Sequence, residues 1–226
     1  MPDVNWFRSD VALSVLPKLI AAAVVTIPIT LVAFVAALVL GAVLLAARRS
    51  RLAVIAWPAA LVFDFIRSTP LLLQIYFYYF ALPQIGLRVP AIGTGILALS
   101  IHYGCYVSEV YRSGLAALPA GQWDAVRALG FSRFDAFARV IVPQLIPFFV
   151  PSLGNLLISI LKETPLLAAI AVADVMFVAM QYGADHFQYM EPILLAGAIF
   201  LALSAIASAI IRLLESVASR QWLTRD

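Results

Sequence analysis

Residues 19–47 read LIAAAVVTIPITLVAFVAALVLGAVLLAA, 29 positions without one Asp, Glu, Lys or Arg. A helix needs about 20 mainly apolar residues to cross a bilayer, so this stretch alone places the chain in a membrane. Four more uncharged runs follow: Ser68–Leu87, Val89–Ser108, Val140–Leu161 and Pro192–Ile211. A further segment, Thr164–Ala184, is apolar except for Asp174. Of all 226 residues, 64% are hydrophobic and 12% charged, against roughly 45–50% and 25% in soluble domains. A soluble globular enzyme is excluded. The single cysteine, Cys105, excludes an intrachain disulfide and a cysteine-cluster metal site. Period-2 alternation is missing, which argues against a membrane β-barrel. The first apolar run is too long for a signal core and lacks a basic lead, so no cleavable signal peptide is expected. The expected fold class is all-α: a polytopic membrane protein with about five transmembrane helices, near 19–46, 53–82, 91–113, 144–164 and 191–214.

Lys and Arg counts orient these spans. Arg48, Arg49, Arg51, Arg112, Arg127, Arg133, Arg139, Arg212, Arg220 and Arg225 fall on one side of a five-span chain. Only Arg8, Lys18 and Arg88 fall on the other. The basic side is therefore read as cytoplasmic, with the N-terminus outside and the C-terminus inside. Residues 1–18 form an extracytoplasmic segment, 19–215 the membrane domain with a loop at 116–143, and 216–226 a cytoplasmic tail. A sixth full span through 165–184 would turn Arg212, Arg220 and Arg225 outward. That segment is therefore read as a broken or partly re-entrant helix packed within the protein.

Ionisable groups at membrane depth are costly, so each needs a reason. Asp64 and Arg67 lie three apart and are expected to pair on one helix face, next to Ser68, Thr69 and Pro70. They read either as a self-neutralised pair or, with Thr69 and Gln74, as a polar lining where Pro70 bends the helix. His102, Tyr106, Glu109 and Ser113 share one face of the third span, with Tyr103 beside them. That stripe faces a pathway or partner, or serves internal packing; Glu109 also has Arg112 three residues on. Lys162, Glu163 and Thr164 precede Pro165 and read as pathway groups or as an ion pair at a helix break. Asp174 reads as a helix cap or as the partner of a neighbouring polar group.

The loop between the third and fourth spans, Leu118 to Pro143, reads as two short helices. The first covers about 121–129 and ends at Gly130, a natural residue for the left-handed position after a helix. Ser132 starts the second, with Asp135 three residues on at capping-box spacing. Trp123, Val126, Phe134 and Phe137 give the loop apolar projections, suited to docking a soluble partner or to lying on the lipid surface.

This loop resembles the coupling-loop signature of type I ABC-importer permeases: an acid–Ala–Ala block, then a Gly, then a terminal Pro. Asp124, Ala125, Gly130 and Pro143 stand at the family spacing. The chain departs at Val126, Val140 and Val142, and has Asp where Glu is usual. Three stretches are similar to the polar amino-acid (histidine/glutamine-type) subfamily: FIRSTPLLLQ at 65–74, EVYRSG at 109–114 and LKETPLL at 161–167. HYGCYVSEVYR at 102–112 and FQYMEP at 187–192 resemble ectoine and hydroxyectoine permeases. The resemblance runs over about residues 15–216.

The resemblance implies a permease fold with cytoplasmic coupling helices, in a bacterial cytoplasmic (inner) membrane. It implies a second permease chain, identical or homologous, two ATP-binding subunits and an extracytoplasmic solute-binding protein. Trp123, Asp124, Ala125, Gly130 and Pro143 would then couple to the ATPase. Arg67, Thr69, Gln74, His102, Tyr103, Tyr106, Glu109, Lys162, Glu163 and Asp174 would line the solute path. No nucleic-acid partner, metal or cofactor of its own is expected. ATP and Mg²⁺ would sit on the partner, because a phosphate-binding loop needs Gly-Lys-Ser/Thr, whereas Lys18 follows Pro17 and Lys162 follows Leu161. The solute would be a small zwitterion, ectoine or hydroxyectoine first and a polar amino acid second. Two other classes fit the composition: an ion-coupled secondary transporter, with the Ser/Glu-Thr-Pro-Leu-Leu strings at 68–72 and 163–167 as a short internal echo, and a non-transporting membrane scaffold.

Overall fold

A computed structural model describes residues 7–223, all helix and connecting turn with no strand among them. Residues 1–6 of the expected N-terminal segment and 224–226 of the expected tail, including Arg225, lie outside the described residues. Four helices are long and apolar enough to cross a membrane, and a bent helix pair makes a fifth crossing if counted as one span.

Helix α1 runs from Ser9 to Arg48, ten residues before the expected start. Its 40 residues extend about 60 Å, twice the ~30 Å hydrocarbon core. Asp10 and Lys18 ended the uncharged run without ending the helix, because Val11, Val15 and Leu19 bury one face of this extension. Further along, Ala33, Ala37 and Gly41 recur every fourth residue and are buried. Small residues at this spacing let two helix backbones approach closely. The partner is α4, Ala91–Ala117, whose contact with α1 is the most extensive between any two elements. Gly104 packs against the Ala37–Gly41 turn, and Ser100 Oγ reaches Ala33 O at 3.3 Å.

Helix α2, Ala53–Ser68, and α3, Leu71–Tyr76, are the expected second span. Thr69 and Pro70 break it. The proline excludes Thr69 from helical geometry, and Thr69 is extended (φ −109°, ψ 140°). The two halves differ in direction by 110°. A π-helical turn, Phe77–Ala81, and a 3₁₀ turn, Leu82–Ile85, follow.

After α4 comes the short α5, Ala120–Ala128. The expected second short helix of this loop is not separate. The turn α6, Arg133–Asp135, passes through a π-helical stretch, Ala136–Ile141, directly into α7, Val142–Glu163. The wide turn lies just before Pro143, whose ring cannot join a regular i→i−4 ladder. A 3₁₀ stretch, Thr164–Ile170, then reverses at Ala171, and α8 covers Val175–His186. At 12 residues, α8 is about 18 Å long, too short to cross. It packs on α1 and on α9, Met190–Leu223, through Val175, Ala179 and Tyr182. The 165–184 segment is thus broken and packed within the protein, as the charge count of the loops implied.

Candidate functional site

The break at Pro70 frees backbone carbonyls at the end of α2, and two side chains satisfy them: Thr69 Oγ1 reaches Phe65 O at 3.0 Å and Ile66 O at 3.2 Å, and Gln74 reaches back from α3. Gln74 is buried, and its amide nitrogen donates to Ile66 O and Thr69 Oγ1, both at 2.8 Å. Its oxygen then faces His102 Nδ1 of α4 at 3.3 Å. The His102 ring packs against Tyr103 and Tyr106, with centroids at 5.5 and 5.3 Å. The two tyrosine rings lie 5.8 Å apart. Arg67 places its guanidinium 5.2 Å from the centre of the Tyr106 ring. Glu163, at the end of α7, lies beside Tyr103, and its Oε2 is buried without a hydrogen-bond partner. Arg67, Thr69, Gln74, His102, Tyr103, Tyr106 and Glu163 therefore form one continuous cluster across the α2–α3 bend, α4 and α7.

Of the three other candidates, Glu109 is joined to it through Arg48 and Phe63, whereas Lys162 and Asp174 stand apart. Glu109, a turn beyond Tyr106, accepts from Arg112 Nε at 2.8 Å, and Arg48 Nη1 lies 3.6 Å away. Lys162 is exposed and makes no ion pair among the described residues, so the expected pairing at the helix break is not formed. Asp174 is fully buried and caps α8, accepting from Phe177 N at 2.8 Å. The Asp64–Arg67 pair is not formed either. Asp64 is exposed, while Arg67 turns across the helix onto the rings of Phe63 and Tyr106. A guanidinium is attracted to aromatic faces, and here it lies 5.1 Å from the Phe63 ring centre and 5.2 Å from that of Tyr106.

The loop carries its signals as read. Gly130 has φ +72°, Phe131 N bonds to Val126 O at 3.1 Å, and Gly130 N bonds to Arg127 O at 3.1 Å. This is the Schellman closure of α5. Ser132 Oγ accepts from Asp135 N at 3.1 Å and donates to its carboxylate at 2.6 Å. Asp124 pairs with Arg127 at 3.3 Å, and Gln144 on α7 donates to Gln122 at 3.0 Å, tying the loop to the membrane part. Pro143 sits in the first turn of α7 and Ala125 is exposed on α5. The apolar projections sort themselves. Val126 turns inward at 4% exposure and Trp123 is half-buried, whereas Leu129 and Phe134 stand bare at 74% and 79%.

Residues 38–219 match the family described as "Binding-protein-dependent transport system inner membrane component". The chain belongs to this family. It is 40% identical over 204 residues to a probable amino-acid ABC transporter permease of Sinorhizobium fredii, covering 90% of this chain and 88% of the relative. It is 34% identical over 206 residues to an arginine transport system permease of Bacillus subtilis, covering 89% and 94%. Among solved structures, one described as an amino acid ABC transporter with histidines superposes with TM-score 0.81 at 32% identity. It covers 88% of this chain and 94% of that one.

The protein is therefore a multi-pass inner-membrane permease of an ABC transporter with the type I importer fold. The secondary-transporter and scaffold readings are set aside by that membership. The short Thr-Pro-Leu-Leu echo marks two unlike breaks: a 110° bend at Pro70 and a 3₁₀ continuation of α7 at Pro165. Two residues of this permease's polar cluster went unnoticed in the sequence. Arg48 lies 3.6 Å above the Phe63 ring, whose neighbourhood it shares with Arg67, and so links the end of α1 to α2 and, through Glu109, to α4. In the sequence Arg48 was one of several loop arginines and Phe63 one of many apolar positions. No spacing rule joins residues on different helices.

Proposed function

We propose that this permease imports a small zwitterion of the amino-acid class. It would pair with a second permease chain and two ATP-binding subunits carrying ATP and Mg²⁺, and receive solute from an extracytoplasmic binding protein. The observation that carries the reading is that two ionisable groups of the polar cluster, the Arg67 guanidinium and the Glu163 carboxyl, have no ion-pair partner among the described residues. Arg67 has no carboxylate partner among the described residues and rests on Tyr106; Glu163 keeps a buried carboxylate oxygen without a partner beside Tyr103. A solute with one group of each sign complements both, and the tyrosine faces between them suit a cationic end. Such contacts hold a solute weakly, so the binding protein supplies the affinity and the permease the path.

The names of the relatives, amino-acid and arginine permeases, support a polar amino acid. The motifs at 102–112 and 187–192 keep ectoine as a second candidate of the same charge type. Coupling runs through Asp124, Ala125 and Gly130, with Trp123 and Pro143 fixing the loop. ATP binding on the partner favours one of two permease states and so turns the path outward. The basic loops face the cytoplasm, with the N-terminus outside.

The test is uptake by the reconstituted transporter in vesicles loaded with ATP, with an ionophore control. Labelled arginine, glutamine, histidine, glutamate and ectoine are offered singly and in competition. ATP-dependent, ionophore-resistant uptake of at least one zwitterion is expected, reduced by Glu163→Gln. ATP-dependent uptake of none of these zwitterions would overturn the reading.

A further inference from the structure

We propose that a groove beside the α5 loop is a binding site for an anionic glycerophospholipid, with an acyl chain in the groove and the phosphate on Arg49. This goes beyond transport itself and rests on the cytoplasmic placement of the loop.

The groove has a volume of about 530 Å³ and lies between Ala42 and Ala46 of α1 and Val142 and Leu153 of α7, with Phe137 also on its wall. Arg49 is its one charged lining residue. Val142 to Leu153 spans about 16 Å of helix, close to the ~15 Å of one leaflet of the hydrocarbon core. Alanines at 42 and 46 leave the space that larger side chains would fill.

Charge complementarity selects the head group. At this end of the protein Arg48 and Arg112 meet Glu109, Arg127 meets Asp124, and Arg139 meets Asp135. Arg49 has no carboxylate partner among the described residues, and neither does Arg133, which lines a second slot of about 510 Å³ that shares Phe137. Unmatched guanidinium groups at the mouth of an apolar groove are suited to a phosphate, which accepts two parallel N–H bonds. Most of the groove wall, from Ala42 and Ala46 to Leu145 and Leu153, is the flank of helices long and apolar enough to cross a membrane, the surroundings in which an acyl chain lies. Phe137 belongs to the π-helical stretch between the α5 loop and α7. A lipid seated here therefore touches the segment that joins the coupling loop to the membrane.

The experiment uses the full-length permease, purified as the transporter it assembles into and exchanged into nanodiscs of equal phosphatidylglycerol and phosphatidylcholine. Lipid retained after release into detergent is counted by native mass spectrometry. Wild type should retain phosphatidylglycerol about fivefold over phosphatidylcholine, and Arg49→Gln should bring the ratio to about one. Ala46→Trp should remove retained lipid of both kinds, and glycerol phosphate in solution should not compete. Equal retention of the two lipids by wild type, an unchanged ratio in Arg49→Gln, or full competition by glycerol phosphate would each overturn the proposal. So would loss of the ATPase subunit from Arg49→Gln with lipid retention intact, which would make Arg49 a protein contact. Because the sidedness of the loop is read separately by cysteine labelling, a failure here is distinguishable from a failure of the orientation.

Discussion

Replacing Gly41 by alanine should destabilise this permease by about 1–3 kcal/mol, although alanine is the better helix former by about 1 kcal/mol. The loss comes entirely from packing. A β-carbon at Gly41 would lie 2.5 Å from Val107 Cγ1, 2.7 Å from Val107 Cβ and 3.0 Å from Gly104 O. Carbon atoms rest about 3.5–4.0 Å apart, so the overlap is on the order of 1 Å. Val107 is β-branched and stiff at χ1, and the other contact is backbone, so neither moves aside. Helices α1 and α4 must then separate, and a gap of 0.5–1 Å forfeits roughly a quarter to a half of each contact's attraction. Gly104→Ala should be milder, because its nearest contact would be Leu40 Cβ at 3.1 Å. Val107→Ala should rescue Gly41→Ala only in part, with a coupling of about 0.5–1 kcal/mol: it removes the Cγ1 contact and leaves the one at 2.7 Å. The assay is reversible unfolding in mixed micelles of dodecyl sulfate and maltoside, followed by circular dichroism. A Gly41→Ala permease as stable as wild type, or a Gly104→Ala variant that suffers more, would refute the close-approach argument.

Three shorter predictions concern the loop, the cap and the topology. Gly130→Val should uncouple solute-stimulated ATP hydrolysis from uptake while leaving the protein in the membrane, since φ +72° is costly for a β-branched residue; normal stimulation would count against it. Asp174→Ala should cost about 1 kcal/mol through loss of the α8 cap, a fall in melting midpoint of about 2–4 °C, whereas Asp174→Asn should keep most of it. A cysteine at Ala120 should react with an impermeant maleimide only from the cytoplasm and one at Gly86 only from outside; labelling from the same side would end the five-span topology.

Much of this structure was legible in short-range signals. Pro70 and Pro165 marked the breaks, Gly130 the end of α5, Ser132 and Asp135 a capping box, and Asp174 a cap, because each acts on backbone within four residues of itself. The class of membrane protein followed from run length alone. What escaped was set by distant residues. The α1 extension back to Ser9 depends on α8 and α9 covering Val11 and Val15. Arg67 was assigned to Asp64 by spacing, yet Tyr106 of another helix takes it. The 110° angle at Pro70 comes with Gln74 and Thr69 bonding back to the end of α2, and a proline by itself specifies a break without a direction. The merging of α6 into α7 was hidden because a Ser-x-x-Asp box signals a start and says nothing of length.

The unbroken run from Arg133 to Glu163 has a mechanical consequence. Its 31 residues form a lever of about 46 Å, with the loop at one end and the Glu163 carboxylate at the other. A tilt of about 5° about either end displaces the opposite end by roughly 4 Å, more than a hydrogen-bond length. Three prolines, Pro143, Pro147 and Pro151, fall within its first 19 residues, and none falls between Ser152 and Glu163. The compliant portion is thus next to the loop and the stiff portion next to the polar cluster. A push on the loop would be absorbed partly as bending near Pro143 and delivered beyond Pro151 as rigid rotation. Stiffening the first half, for instance with Pro147→Ala, would enlarge the stroke at Glu163 for the same push.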